Sequence, residues 1–192
     1  MRKIYYLILI LLFFSCKQNS KNNKNLVPND EVYGIINYIL KNDLQEKDSK
    51  YNYLSEEFPL DNPNNRYFGI EEMDTIFSKK DIEFMKLQMD NRYHFRIENN
   101  LIQDRTVISF DSLNKLFNEN ERSEKFWERF EKKYKAKKFS AISLPIFSVD
   151  YKTVLISFGN HCGSLCGSGK TVIYKMVNGK WKQIKIISFW VS

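Results

Sequence analysis

The chain has 192 residues, 43% of them apolar and 15% aromatic, and a formal charge of +7. Five of the 30 basic residues (Arg2, Lys3, Lys17, Lys21, Lys24) and none of the 23 acids fall in residues 1–25, so residues 26–192 carry 25 bases against 23 acids and net only +2. Taken over that whole stretch the charges are interspersed rather than gathered into a basic stripe, which argues against a nucleic-acid-binding protein.

Arg2 and Lys3 precede an unbroken apolar run of eleven residues, 4–14. A helix needs roughly 20 apolar residues to cross a bilayer, so the run reads as a secretory leader and not as a membrane span. It ends in Ser15-Cys16 and the chain then turns polar at once. A small residue directly before a cysteine is similar to the lipobox of bacterial lipoproteins, which implies that residues 1–15 are removed as a signal peptide and that Cys16 is acylated. Residues 17–25, "KQNSKNNKN", hold no apolar side chain that could dock on a core, so 16–25 reads as a lipidated cysteine and flexible tether. Nine such residues span roughly 15–18 Å. Residues 26–192 are expected to form a single globular domain, with neither an internal repeat nor a second linker.

The first half of that domain reads as helices. Val32, Ile35, Ile36, Ile39 and Leu40 share one helical face, with Asn29 or Asp30 as cap. Residues 55–74 hold turn residues and acids and are expected to be a loop. Ser78 and Asp81 have the spacing of a capping box, Phe77 and Ile82 that of a hydrophobic staple, and Ile82, Met85 and Met89 the spacing of a buried stripe. His94, flanked by aromatics, reads as a structural histidine on a strand. A third helix is expected over 123–137, burying Trp127, Phe130 and Tyr134 and pairing Glu128 with Lys132 and Glu131 with Lys135 across its exposed face.

From Phe139 the pattern changes. Residues 140–147, 153–159, 171–177 and 180–190 are rich in β-branched and aromatic residues, and Asn178-Gly179 between the last two predicts a type I′ hairpin. The fold class expected is α+β, with N-terminal helices followed by a C-terminal antiparallel meander of about four strands.

Two readings compete for "SLCGSGKT", residues 164–171. A phosphate loop needs a glycine at position 164, which is serine, and a helix after Lys170, where the sequence reads as strand, so no nucleotide is expected. The cysteines carry more. Of three in the chain, acylation of Cys16 leaves Cys162 and Cys166, and in an oxidising compartment a disulfide is the default. His161 beside them gives three soft ligands within six residues, so copper or zinc binding by His161, Cys162 and Cys166, or a redox-active thiol pair, stays open as the alternative. The three-residue gap between the cysteines is similar to that of copper-delivery proteins, but those carry it early in a thioredoxin-like fold. No Gly-x-Ser-x-Gly elbow or His-Glu-x-x-His occurs, and the acids Glu71, Glu72 and Asp74 read as solvated loop residues. No cofactor and no catalytic residue are expected.

The last third carries Ser143, Pro145, Phe147, then Cys162, Gly163, Leu165, Cys166, Gly167 and Gly169, then Asn178, Gly179, Lys180 and Trp181, and finally Trp190 and Ser192. This succession resembles a group of bacterial envelope lipoproteins without known activity, whose C-terminal segment runs Cys-Gly-x-Leu-Cys-Gly-x-Gly, strand, Asn-Gly-Lys-Trp, strand. The resemblance implies a cell-envelope lipoprotein in which the cysteine pair is a fixed feature of its loop. The absence of acids after Cys16 favours the periplasmic face of the outer membrane. Asp74-Thr75-Ile76 and Asp111-Ser112-Leu113 are similar to O-glycosylation sites of exported bacterial proteins, which makes Thr75 and Ser112 candidate acceptors. The function expected is non-enzymatic binding or scaffolding, with the membrane reached through the N-terminal lipid and an envelope protein or glycan as partner.

Overall fold

The computed structural model describes residues 26–44, 52–58, 69–90, 92–163 and 165–192; the leader, Cys16 and the tether lie outside them. Helix α1 is Asn29–Asn42, and Val32, Ile35, Ile36, Ile39 and Leu40 are all buried along it as their spacing predicts. Its N-cap is Pro28, one residue before the expected caps, with no side-chain cap bond. Helix α2 is Lys79–Asp90. Its capping box is formed: the Asp81 amide donates to Ser78 Oγ (3.2 Å) and the Ser78 amide to Asp81 Oδ2 (2.9 Å). Helix α3 is the short Phe110–Asn114 and α4 is Ser123–Tyr134.

The strands are β1 Tyr53–Ser55, β2 Thr106–Ile108, β3 Lys138–Ile142, β4 Ile146–Phe147, β5 Thr153–Cys162, β6 Ser168–Val177 and β7 Lys180–Val191. They form one mixed seven-stranded sheet in the order β2-β1-β3-β5-β6-β7, with β4 also paired to β5. This corrects the expected four-stranded antiparallel meander. The helical half contributes β1 and β2, and β1 lies parallel both to β2 and to β3. Only β3 to β7 are antiparallel neighbours. The β6–β7 turn is as predicted, with φ of 52° at Asn178 and 73° at Gly179.

Alternation along β5 explains its near-continuous apolar sequence, because both faces of the central sheet are covered. Val154, Ile156 and Phe158 face α1 in one core, with Val172 and Tyr174 of β6 beside them. Leu155 and Ile173 face the other way, against Met85 and Met89 of α2 and the 3-10 turn Ile70–Met73. The same face is continued by Phe139, which packs with Phe130 of α4 and Ile108. Buried Gln88 finishes the short β4: its amide donates to the Phe147 carbonyl and accepts from the Phe147 amide, both at 2.8 Å, as a neighbouring strand would.

Several local expectations are corrected. The region 55–74 is not all loop, since Ser55 ends β1 and residues 70–73 form the 3-10 turn. His94 lies exposed in the 3-10 turn Arg92–His94 and not on a strand. Helix α4 stops at Tyr134, because Lys135 takes a left-handed conformation (φ 55°). Phe130 is buried, whereas Trp127 and Tyr134 are half-buried. The exposed pairs it forms are Lys125 with Glu128 and Arg129 with Glu121, while Glu131 reaches Lys137 in place of Lys135. No helix among the described residues is long and apolar enough to cross a membrane.

Candidate functional site

One corner of the sheet collects most of the motif residues. β5 and β6 are joined by a short loop whose ends are tied by the Cys162–Cys166 disulfide, with Cα atoms 5.5 Å apart, a separation normal for such bonds. Gly169 of β6 pairs with Trp190 of β7, and the indole folds back over the glycines. A Cβ on Gly169 would stand 2.5 Å from Trp190 Nε1, and one on Gly167 2.8 Å from Ser192 Oγ and 3.0 Å from the indole, so only glycine admits this contact. Ser192 closes the corner. Its amide donates to the Gly167 carbonyl (2.9 Å), and the Gly167 amide donates to Ser192 Oγ (3.1 Å).

A row of rings ties the corner to the core. Trp127 of α4 stacks on Phe139 (5.7 Å between centroids), Phe139 on His161 (5.3 Å), and His161 meets Trp190 (5.4 Å). His161 is thus held between two aromatic rings. The sulfurs of Cys162 and Cys166 are bonded to each other and offer no thiolate to a metal. Among the described residues no group of three or more His, Cys, Asp or Glu could hold a metal ion. Lys170, the lysine of the phosphate-loop look-alike, lies within β6. It bonds Gln183 Oε1 (2.8 Å) and pairs with Asp43 (3.3 Å).

The groups with shifted proton affinity lie elsewhere and do structural work. Burial, and then the nearby Asp43 carboxylate, raise the pKa of the Tyr174 phenol. Burial also raises Glu57, against the pull of Arg96. Asp81 is partly buried, but hydrogen bonds from the Ser78 hydroxyl and the Val149 and Ser78 amides hold its carboxyl below the usual range. Asp150 is held low by the Ser148 hydroxyl and the Lys152 amide. The weak candidates for modification differ: Thr75 is exposed in a turn, whereas Ser112 is half-buried in α3, where its hydroxyl accepts from Ser109 Oγ (2.9 Å).

What the sequence did not disclose is the surface around the corner. Leu165 at the loop tip is 86% exposed, Phe189 77% and Val191 76%, and Ile184, Ile186 and Trp190 are exposed with them. From Tyr151 to the last residue there is no acid, against six lysines, and this signal was readable in the sequence. Lys175, Lys180, Lys182 and Lys185 are exposed, and among the described residues none pairs with a carboxylate. Lys175 and Lys182 stand directly opposite each other on β6 and β7, an unfavourable juxtaposition for like charges.

No protein-family model, curated protein or solved structure matches the chain. In its own geometry the chain is a small α+β domain with a Cys162–Cys166 disulfide.

Proposed function

We propose that the protein is a lipid-anchored cell-envelope protein, acylated at Cys16, whose sheet corner serves as a non-enzymatic binding or scaffolding surface. The observation that carries this reading is the convergence of the disulfide loop, Gly167, Gly169, Trp190 and Ser192 into one braced corner, beside which Leu165, Phe189 and Val191 stand in solvent. A rigid frame holding apolar side chains outward costs solubility and is characteristic of surfaces that meet something. Export fits the cysteine pair, since disulfides persist in oxidising compartments. The leader and the look of Ser15-Cys16 support the anchor, and the acid-free tether supports the periplasmic face of the outer membrane.

Mass analysis of the N-terminal peptide from native envelopes, with differential alkylation of Cys162 and Cys166, tests the reading. An acylated Cys16 and a linked pair that resists mild reductant are expected. Free or readily reduced thiols would instead support the rival assignment of thiol redox or metal chemistry to His161, Cys162 and Cys166.

A further inference from the structure

We propose that the β7 side of this corner docks edge-on against an anionic lipid surface, with Leu165, Phe189 and Val191 entering the headgroup boundary and Lys175, Lys180, Lys182 and Lys185 meeting lipid phosphates. The proposal rests on the reading of the corner as a binding surface and names what it binds; it does not depend on acylation of Cys16.

Three observations converge on a lipid. The first is apolar: Leu165, Ile184, Ile186, Phe189, Trp190 and Val191 are all exposed, with Ile186, Phe189 and Val191 on the face of β7 that pairs with Val172, Lys170 and Ser168 and Trp190 on the other, so both sides of the strand's edge carry apolar side chains. Trp190 lies on Gly167 and Gly169 and against His161, and keeps 37% of its surface in solvent, the amphipathic placement that suits a membrane interface. The second is electrostatic. Four exposed lysines without carboxylate partners among the described residues, two of them directly opposite each other, form a site that an anionic surface relieves. Each lysine held near such a surface strengthens binding about fivefold.

The third observation separates a membrane from a protein strand. β7 is the outer strand of the sheet, and its pairing with β6 shifts register twice, between Thr171 and Val172 and again between Ile173 and Tyr174. These irregularities fall at Ile187 and Ile184 of β7 and break the regular row of backbone groups on which another strand would build. The lysines likewise disfavour a second copy of this chain, which would bring its own. A fluid headgroup layer requires no register and accepts Lys175, Lys180, Lys182 and Lys185 along the same rim as the apolar end.

The test uses the full chain with phosphatidylcholine vesicles, with or without phosphatidylglycerol, whose acyl chains carry bromine as a contact quencher of tryptophan. Quenching is expected on the anionic vesicles, and it should be absent from the Trp190→Phe chain, whose other tryptophans are Trp127 and Trp181. The Lys182→Gln/Lys185→Gln chain should need roughly 25-fold more anionic lipid for the same quenching. The Phe189→Glu/Val191→Glu chain keeps Trp190 and should lose the signal. Equal quenching on neutral and anionic vesicles, or quenching indifferent to all three changes, overturns the proposal. So does self-association in lipid-free solution that Phe189→Glu/Val191→Glu abolishes, since it assigns the corner to a second copy. An acylated Cys16 peptide alongside absent Trp190 quenching leaves the anchored-protein reading standing and removes only the docking.

Discussion

At the β2 edge three residues suffice, and everything around them limits further pairing. The outward amide of Val107 donates to Asn99 Oδ1, α3 begins directly after the strand with Ser109 as its cap, and the Phe110 amide donates to Glu56. The β7 edge runs twelve residues; the Tyr38 hydroxyl of α1 donates to its Trp181 carbonyl (2.9 Å), and among the described residues no further strand pairs with it. Its first half carries Lys180, Lys182, Lys185 and one register shift, while its second half carries the other and ends in bare Phe189 and Val191. Both edges manage the hazard of an open strand, but by different means. One is closed with side-chain acceptors, and the other is made irregular and charged, so it can stay exposed and remain available.

Breaking the closed side should cost most. Phe130, fully buried between Ile108 and Phe139, is expected to lose about 3–5 kcal/mol of stability on Phe130→Ala, read as a drop in the denaturant midpoint at unchanged slope. On the open side, Gly169→Ala drives a methyl into the Trp190 indole and the Phe158 carbonyl. A loss of about 1–3 kcal/mol is expected, together with a change in Trp190 fluorescence that Phe130→Ala does not produce; unchanged emission would mean that the indole is not seated on that glycine. Asn99→Ala uncovers the Val107 amide and should cost about 1 kcal/mol, with faster hydrogen exchange confined to the β2 neighbourhood.

The smallest effect is acidic. Because the folded state holds the Asp81 carboxyl below its usual range, its contribution is present above the unfolded value, about pH 4, and disappears as the pH falls through the folded value. In the Asp81→Asn chain the decline of stability as the pH falls below about 4 should therefore be shallower than in the natural chain. An identical pH profile would remove Asp81 from the account.

Legibility in the sequence followed the range of the interactions. The α1 stripe, the Ser78–Asp81 box and the Asn178-Gly179 turn depend on residues a few positions apart, and their local chemistry suffices to read them. β1 and β2 were missed because three-residue strands show no periodicity, and Leu54 is a strand residue only because Val107 and Ser140 flank it. Lys135 carries no local sign of the left-handed turn that ends α4. At the corner, spacing and compartment pointed to the cysteine pair, but the seat of Trp190 on Gly169 depends on a β6–β7 register that two irregularities shift. The lysine rim was readable and was hidden by averaging charge over the whole domain. The acids that balance it all lie before Tyr151.

The parallel pairing of β1 also sets an order of events. The β5–β6–β7 meander closes through neighbouring segments, whereas Leu54 must find Ser140 across about half the length of the domain before β1 can join β3. Loop closure of that length slows the step. The meander is thus expected to gain amide protection first in pulse-labelled refolding, with its β3 side briefly open, so the folding chain passes through a form in which both flanks of the sheet are bare and only one of them is guarded by lysines.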